Sequence, residues 1–292
     1  MPVRDSIGIF FRRPAVLWAL LFLAALGLGV AASFLWMPAP RVAVIRFNDT
    51  IWSDTAANLE AQLRYAEDDP SIRAVVVEVD SPGGEAAASE RLYFDILRLR
   101  ERKPVVVMVN TLAASGGYYL ASAADLIYAT PSSSIGNIGV IAQAPEASFV
   151  VEEYLFTGPF KAFGNTRDSF TRQMELLKDS FLACVFAQRG DRLRVDADTL
   201  SRGELYVGTV AVQMGLADAL GARGDAVGRA AEMAGLARYA EVDVAAEMVG
   251  RGALAPTPTP TYPEYAYERV QQPSWAPGYY YLYVAPRAGG AR

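Results

Sequence analysis

Val105-Val-Val-Met-Val-Asn-Thr-Leu-Ala-Ala-Ser-Gly-Gly-Tyr-Tyr-Leu120 is a valine-rich run that passes directly into a turn of small residues. The run Val105–Val109 reads as a buried strand, since β-branched residues suit an extended, packed backbone. Ala113-Ala-Ser-Gly-Gly117 then predicts a sharp strand-to-helix turn that presents the Ser115 hydroxyl. It is a loose variant of the GxSxG elbow, with Ala113 in place of the first glycine. Two similar strands precede it. Val42–Phe47 (VAVIRF) is one, and Arg73–Val79 (RAVVVEV), which ends at Asp80-Ser-Pro-Gly-Gly84, is the other.

Helical patterns separate these strands. One, capped by Ser53 or Asp54, runs through Leu59, Leu63 and Tyr65; another carries Leu92, Phe94, Ile96, Leu97 and Leu99. Leu126–Ala129 and Ile138–Ala142 read as two further short strands. Phe170 to about Arg189 reads as a helix, and two or three more helices reach Ala246. Valine-rich strands alternating with helices predict an α/β layered fold with a mainly parallel sheet over residues 41–246.

The two ends differ in character. Pro14–Met37 contains no charged residue and is long enough to span a bilayer as a helix. Arg12 and Arg13 precede it, and no basic residue follows until Arg41. The positive-inside bias therefore predicts a single-pass anchor over 14–37, with residues 1–13 in the cytoplasm and the rest beyond the cytoplasmic membrane. The rival reading is a signal peptide cut near Val30-Ala-Ala32, but the apolar run exceeds the ~7–15 residues of a signal core. At the other end, residues 250–292 read as a flexible Pro/Thr/Tyr-rich tail, because repeated Pro-Thr forms neither helix nor ladder. Within it, Tyr279–Val284 is the one stretch suited to adding as an edge strand.

Composition narrows the chemistry. The chain has no histidine, one cysteine and a formal charge of −5. Without histidine there is no Ser-His-Asp triad and no HExxH zinc site. The carboxylates show no metal-ligand spacing, so neither a metal nor another cofactor is expected, and the lack of a basic cluster argues against nucleic acid. A serine hydroxyl still needs a base to become nucleophilic. Arginine keeps its proton, which leaves the three lysines: Lys103, Lys161 and Lys178. Lys103 lies in a charged turn and Lys178 beside Asp179 in a helix, both read as solvated. Lys161, between Phe160 and Phe163 in an uncharged stretch, has the apolar setting that favours a neutral amine. The paired glycines Gly83-Gly84 and Gly116-Gly117 end successive strands, where backbone N–H groups can approach a substrate oxygen closely.

Five ordered motifs carry a family resemblance: Asp80–Gly84 (DSPGG), Ala114–Ala121 (ASGGYYLA), Ile135–Ile141 (IGNIGVI), Gly158–Arg167 (GPFKAFGNTR) and Tyr206–Gly221 (YVGTVAVQMGLADALG). Together they resemble the signal peptide peptidase A (SppA) family of membrane serine proteases, in its short single-repeat form. The resemblance implies a fold related to Clp protease and crotonase, and a Ser-Lys dyad with Ser115 as nucleophile and Lys161 as base. It also implies that the N–H groups of Gly84 and Gly116 form the oxyanion hole. The family's serine that orients the lysine is Asn137 here. Further implications are hydrophobic peptide substrates at the lipid bilayer, including signal-peptide remnants, and a homo-oligomer whose dyad is completed across a subunit boundary. The alternatives are a crotonase-like thioester enzyme, which needs neither Ser115 nor Lys161, and a non-catalytic membrane scaffold.

Overall fold

The computed structural model describes residues 14–36, 39–143, 166–254 and 278–282, together with Thr157, Lys161 and Gly164. The chain divides into two units, Met1–Ala39 and Pro40–Arg292. The first contains helix α1 (Pro14–Trp36), formed where the apolar run was expected. Among the described residues, no helix is long and apolar enough to cross a membrane, and the expected span rests on sequence alone. Residues 1–13 lie outside the described residues.

The second unit is built on strands β1 (Arg41–Phe47), β2 (Ile72–Ser81), β4 (Val105–Ala114) and β5 (Leu126–Ala129). Helices α2 (Ser53–Asp68) and α3 (Ala86–Arg100) connect the first three, with the short strand β3 (Gly83–Glu85) just before α3. Helix α4 (Gly116–Ser122) follows β4 after one residue, Ser115. Two strands that the sequence reading missed complete the main path: β9 (Ala219–Leu220) beside β5, and β10 (Ala240–Asp243) beside β1. The order is β10-β1-β2-β4-β5-β9, and every pairing along it is parallel. The parallel α/β expectation is met.

Side chains alternate across this sheet with the period of two that a pleated strand imposes. Ala43, Ile45, Val75, Val77 and Val107 face α2, α3, α4 and helix α5 (Arg167–Arg189), in one buried cluster. Val42, Val44, Ala74, Val76, Val106 and Met108 face the opposite side, covered by Ala226, Val227, Ala230 and Ala231 of helix α8 (Arg223–Met233). Strands buried on both faces account for the unbroken valine runs. Two smaller helices, α6 (Ala197–Leu200) and α7 (Gly208–Met214), and the terminal helix α9 (Val244–Gly250), finish the layer. Phe94 departs from its expected core position: it is 60% exposed, because Leu92, Ile96 and Leu99 already define the buried stripe of α3.

Of the strand expected over Ile138–Ala142, only residues 141–142 are extended, at the start of β7 (Ile141–Gln143); residues 138–140 are irregular, and β6 (Ser134–Gly136) comes before them. Asn137, at φ +54°, ends β6, since a left-handed residue turns the chain out of the extended ladder. β6 extends the parallel sheet from β4 and pairs antiparallel with β8 (Leu205–Val207). A second correction concerns the tail. Gly278–Leu282 forms strand β11, which lies between β3 and β7 as the middle strand of a small antiparallel sheet. It is a middle strand rather than the edge strand expected of Tyr279–Val284. The linker residues 255–277 lie outside the described residues.

Arg41, at the start of β1, reaches Asp69 at 2.5 Å and Glu247 of α9 at 2.7 Å. The Asp69 carboxylate also accepts from the Ser71 amide and hydroxyl at 2.9 and 2.6 Å. Burial alone would raise the Asp69 pKa, but the Ser71 hydrogen bonds and the charges of Arg41 and Lys103 outweigh it and hold the carboxyl below its usual value. Lys103, expected to be solvated, instead donates to the carbonyls of Ala66 and Asp69 at 2.6 and 2.7 Å. A carboxyl with a depressed folded-state pKa stabilises the fold at neutral pH, and that contribution is lost as pH falls through the folded value. Asp69→Asn should thus cost about 1 kcal/mol at pH 7. Denaturant titrations of the two proteins should converge as the pH is taken below about 3.9, the unfolded value.

Candidate active site

Ser115 is the hinge between β4 and α4, and its backbone is unusual. It sits at φ +52° and ψ −118°, a conformation that costs a residue with a side chain about 1–3 kcal/mol. The surroundings hold it there. Its N–H donates to the Gly136 carbonyl of β6 at 2.8 Å, and its carbonyl accepts from the Tyr119 N–H at 2.8 Å. The residue is 1% exposed. The elbow expected from Ala113–Gly117 is present.

The neighbouring glycines are where they are because no side chain fits. A Cβ on Gly116 would meet the Ser89 Oγ at 2.3 Å and the Tyr281 carbonyl oxygen at 3.0 Å; one on Gly117 would meet the Ser81 carbonyl oxygen at 2.7 Å. Gly83 has φ +93°, and a Cβ there would meet the Tyr281 carbonyl oxygen at 2.0 Å and the Gly116 nitrogen at 2.6 Å. A Cβ on Gly84 would fall 2.0 Å from the Ile51 carbonyl oxygen. The two glycine turns, 32 residues apart in sequence, are thus in direct backbone contact.

Gly84 has a defined orientation. Ile51 donates its N–H to the Gly83 carbonyl at 2.7 Å and accepts from the Glu85 N–H at 2.8 Å. Peptide groups alternate along an extended strand, so the N–H and C=O of Gly84 point to the other edge. There Tyr281 of β11 pairs with it. The Gly84 amide, Gly116 and the Ser115 turn consequently border one narrow space, which the tail strand enters.

The other expected residues lie differently. Lys161 is exposed, in a turn, and among the described residues it has no hydrogen bond to Ser115. The expected burial of its amine is therefore not met within a single chain, and Phe160 and Phe163 lie outside the described residues. Asn137 is committed to the turn it forms: its N–H donates to the Glu204 carbonyl at 2.7 Å and its side-chain Nδ2 to the Gly203 carbonyl at 2.8 Å. Only the side-chain oxygen is left to accept from an amine. Among the described residues, no group of three Cys, Asp or Glu could hold a metal ion. Tyr281 is the participant that sequence reading missed; its tyrosine run reads as a strand, but its partner Gly84 is far away in the chain.

Comparison with known proteins agrees with this architecture. Residues 98–237 match Peptidase family S49, and residues 38–140 match the Clp protease family. The chain is 33% identical over 195 residues to "Protease 4" of Haemophilus influenzae, covering 62% of this chain and 31% of that protein. It is 30% identical over 195 residues to "Serine protease SPPA, chloroplastic" of Arabidopsis thaliana, covering 62% and 29%. It is 27% identical over 184 residues to "Putative signal peptide peptidase SppA" of Enterococcus faecium, covering 58% and 54%. The chain spans about a third of the length of the first two. A parallel α/β domain with a serine elbow defines the class, a Clp-like peptidase fold. Within that class, residues 98–237 carry the match to the S49 peptidases, and proteins named Protease 4 and SppA are among the chain's relatives.

The glycine contacts make a direct prediction. Gly84→Ala forces a methyl group against the Ile51 backbone and should destabilise the domain by about 2 kcal/mol or more. Gly139→Ala, where nothing lies within 4 Å, should be within about 0.5 kcal/mol of the parent. Thermal unfolding of both variants checks this. Equal melting temperatures would show that β3 does not pack against Ile51 as described.

Proposed function

We propose that this chain is a membrane-anchored serine endopeptidase that uses Ser115 as nucleophile and Lys161 as general base. The observation that carries the reading is the strained Ser115 elbow beside two glycine turns, in an S49 peptidase that has no histidine. A neutral Lys161 amine takes the Ser115 hydroxyl proton as Oγ bonds to the substrate carbonyl carbon. The carbonyl oxygen becomes an oxyanion, and the N–H groups of Gly84 and Gly116 stabilise it. Collapse of this intermediate breaks the C–N bond, and the Lys161 ammonium gives its proton to the leaving amine. Water then attacks the Ser115 ester with Lys161 again as base, which releases the new carboxyl end and restores the serine.

Lys161 is exposed in the single chain, so the reading has the dyad completed in a homo-oligomer, where a neighbouring subunit covers the amine and brings it to a serine. Asn137 offers one side-chain oxygen to orient that amine. Helix α1, with Arg12-Arg13 before it, anchors the domain in the cytoplasmic membrane and keeps the catalytic unit outside the cytoplasm. Substrates are then hydrophobic peptides near the bilayer, signal-peptide remnants among them.

Ser115→Ala and Lys161→Ala should each lower kcat/KM on a leucine-rich peptide by about 10³-fold or more, and the double variant should resemble either single one. Substantial activity in folded Lys161→Ala would eliminate the dyad. In sealed vesicles, residues 41–292 should sediment with the membrane and resist protease added to the cytoplasmic side. Digestion from that side would reverse the topology.

A further inference from the structure

Strand β4 changes partners partway along, and the change falls just before the elbow. Val106–Val109 pair with Leu126–Ala129 of β5, whereas Leu112–Ala114 pair with Ser134–Gly136 of β6. On its other side, β4 matches Val109 with Val79 of β2, and Ala113 with Ser81. Between those pairs β2 has one residue, Asp80, and β4 has three: Asn110, Thr111 and Leu112. A bulge of this kind bends its strand and increases the local twist. The bend carries β4 from β5 to β6, and so brings the Ser115 N–H to the Gly136 carbonyl at 2.8 Å.

Two carboxyl groups on one face of β2 meet this bulge. Glu78 is buried and accepts from Asn110 Nδ2 at 3.1 Å; Arg223 at 3.0 Å and Arg46 at 3.9 Å balance its charge. The Asn110 carbonyl accepts from the Thr130 hydroxyl at 2.7 Å. Asp80 has a different setting. It is half-buried, and among the described residues neither arginine nor lysine shifts its titration. Burial raises its pKa, while the Thr111 hydroxyl and the Leu112 N–H, which lie against the carboxyl, oppose the rise. Its Oδ1 is buried without a hydrogen-bond partner. Keeping a carboxyl there without a counter-ion costs stability, and the groups that it does face belong to the bulge.

We infer that Asp80 is a positioning residue for the proposed nucleophile: its carboxyl, set against Thr111 and Leu112, fixes the bulge in β4 and thereby the place of the Ser115 hydroxyl. The consequence for catalysis rests on the peptidase reading of Ser115, whereas the clamp on the bulge is a property of the fold. Asp80 acts through the short run of chain from Leu112 to Ser115 and touches no substrate itself. A displacement of about 1 Å at a reacting group costs on the order of 10²-fold in rate. A loosened bulge therefore slows the chemical step and leaves peptide binding as it was. What Asp80 supplies to Thr111 and Leu112 is an acceptor oxygen, which an amide side chain also has.

The test uses the full chain. Hydrogen exchange at the amides of 111–114 reports the bulge; fluorophosphonate labelling of Ser115 and cleavage of a leucine-rich peptide report the elbow. Asp80→Ala should speed exchange by about tenfold or more and slow labelling by about 10- to 100-fold. It should lower kcat in proportion, with KM within about twofold of the parent. Asp80→Asn, which keeps an acceptor oxygen, should stay within about threefold of the parent in every readout. Folded Asp80→Ala with parental exchange and labelling overturns the proposal, and so does Asp80→Asn as slow as Asp80→Ala. A lower melting temperature with parental labelling also overturns it, since that marks a merely structural residue. Should Asp80→Ala fail to fold, Thr111→Val removes one donor at an exposed position. Labelling slowed by about threefold or more in that variant supports the clamp, and a parental rate overturns it. A parent that takes no label at Ser115 refutes the nucleophile instead, and exchange in the Asp80 variants then decides the clamp.

Discussion

The backbone of Ser115 is the constraint on which the site depends. A residue with a side chain at φ +52° is held only if its surroundings leave no alternative. Here β4 delivers the chain from one side, α4 takes it away on the other, and the Gly136 carbonyl fixes the N–H between them. That carbonyl is available because Asn137, also left-handed, bends β6 away immediately afterwards. The glycines follow from the same requirement, since α4 reaches the ends of β2 and β3 only where positions 83, 116 and 117 lack a Cβ, while Gly84 lets β3 lie against Ile51. Strain at one residue is thus distributed over four segments of sequence.

The absence of histidine shapes the rest. A hydroxyl positioned this carefully still needs a base, and the lysine that the motifs assign stands exposed in the single chain. In the proposed reading, nucleophile and base belong to different stages of assembly: one chain forms the elbow, and a neighbouring subunit supplies the surroundings of Lys161. The tail follows a similar economy. The backbone edges of β3 and β7 are paired by the chain's own strand, which avoids leaving unpaired strand edges beside the elbow.

Legibility followed locality. The strands β1, β2 and β4 and the Ser115 turn are plain in the sequence because burial on both faces demands unbroken valine runs, and because a sharp turn demands small residues. Long-range partners were not. Lys103 looks like a solvated turn residue, yet two carbonyls 34 and 37 residues away capture it. The Ile135–Ile141 segment conceals the break at Asn137, since asparagine's tolerance of positive φ is permissive rather than diagnostic. The tyrosine tail carries a strand pattern, but its neighbours are set by the groove that receives it, and the intervening Pro-Thr segment masks the link.

The most direct test of the account is to locate the covalent adduct. The full-length protein, treated with a fluorophosphonate and digested, should yield one modified peptide, with the mass increase on Ser115, and Ser115→Ala should yield none. An adduct on another serine, or none in the parent once its fold has been verified, would contradict the reading of this elbow as a nucleophile.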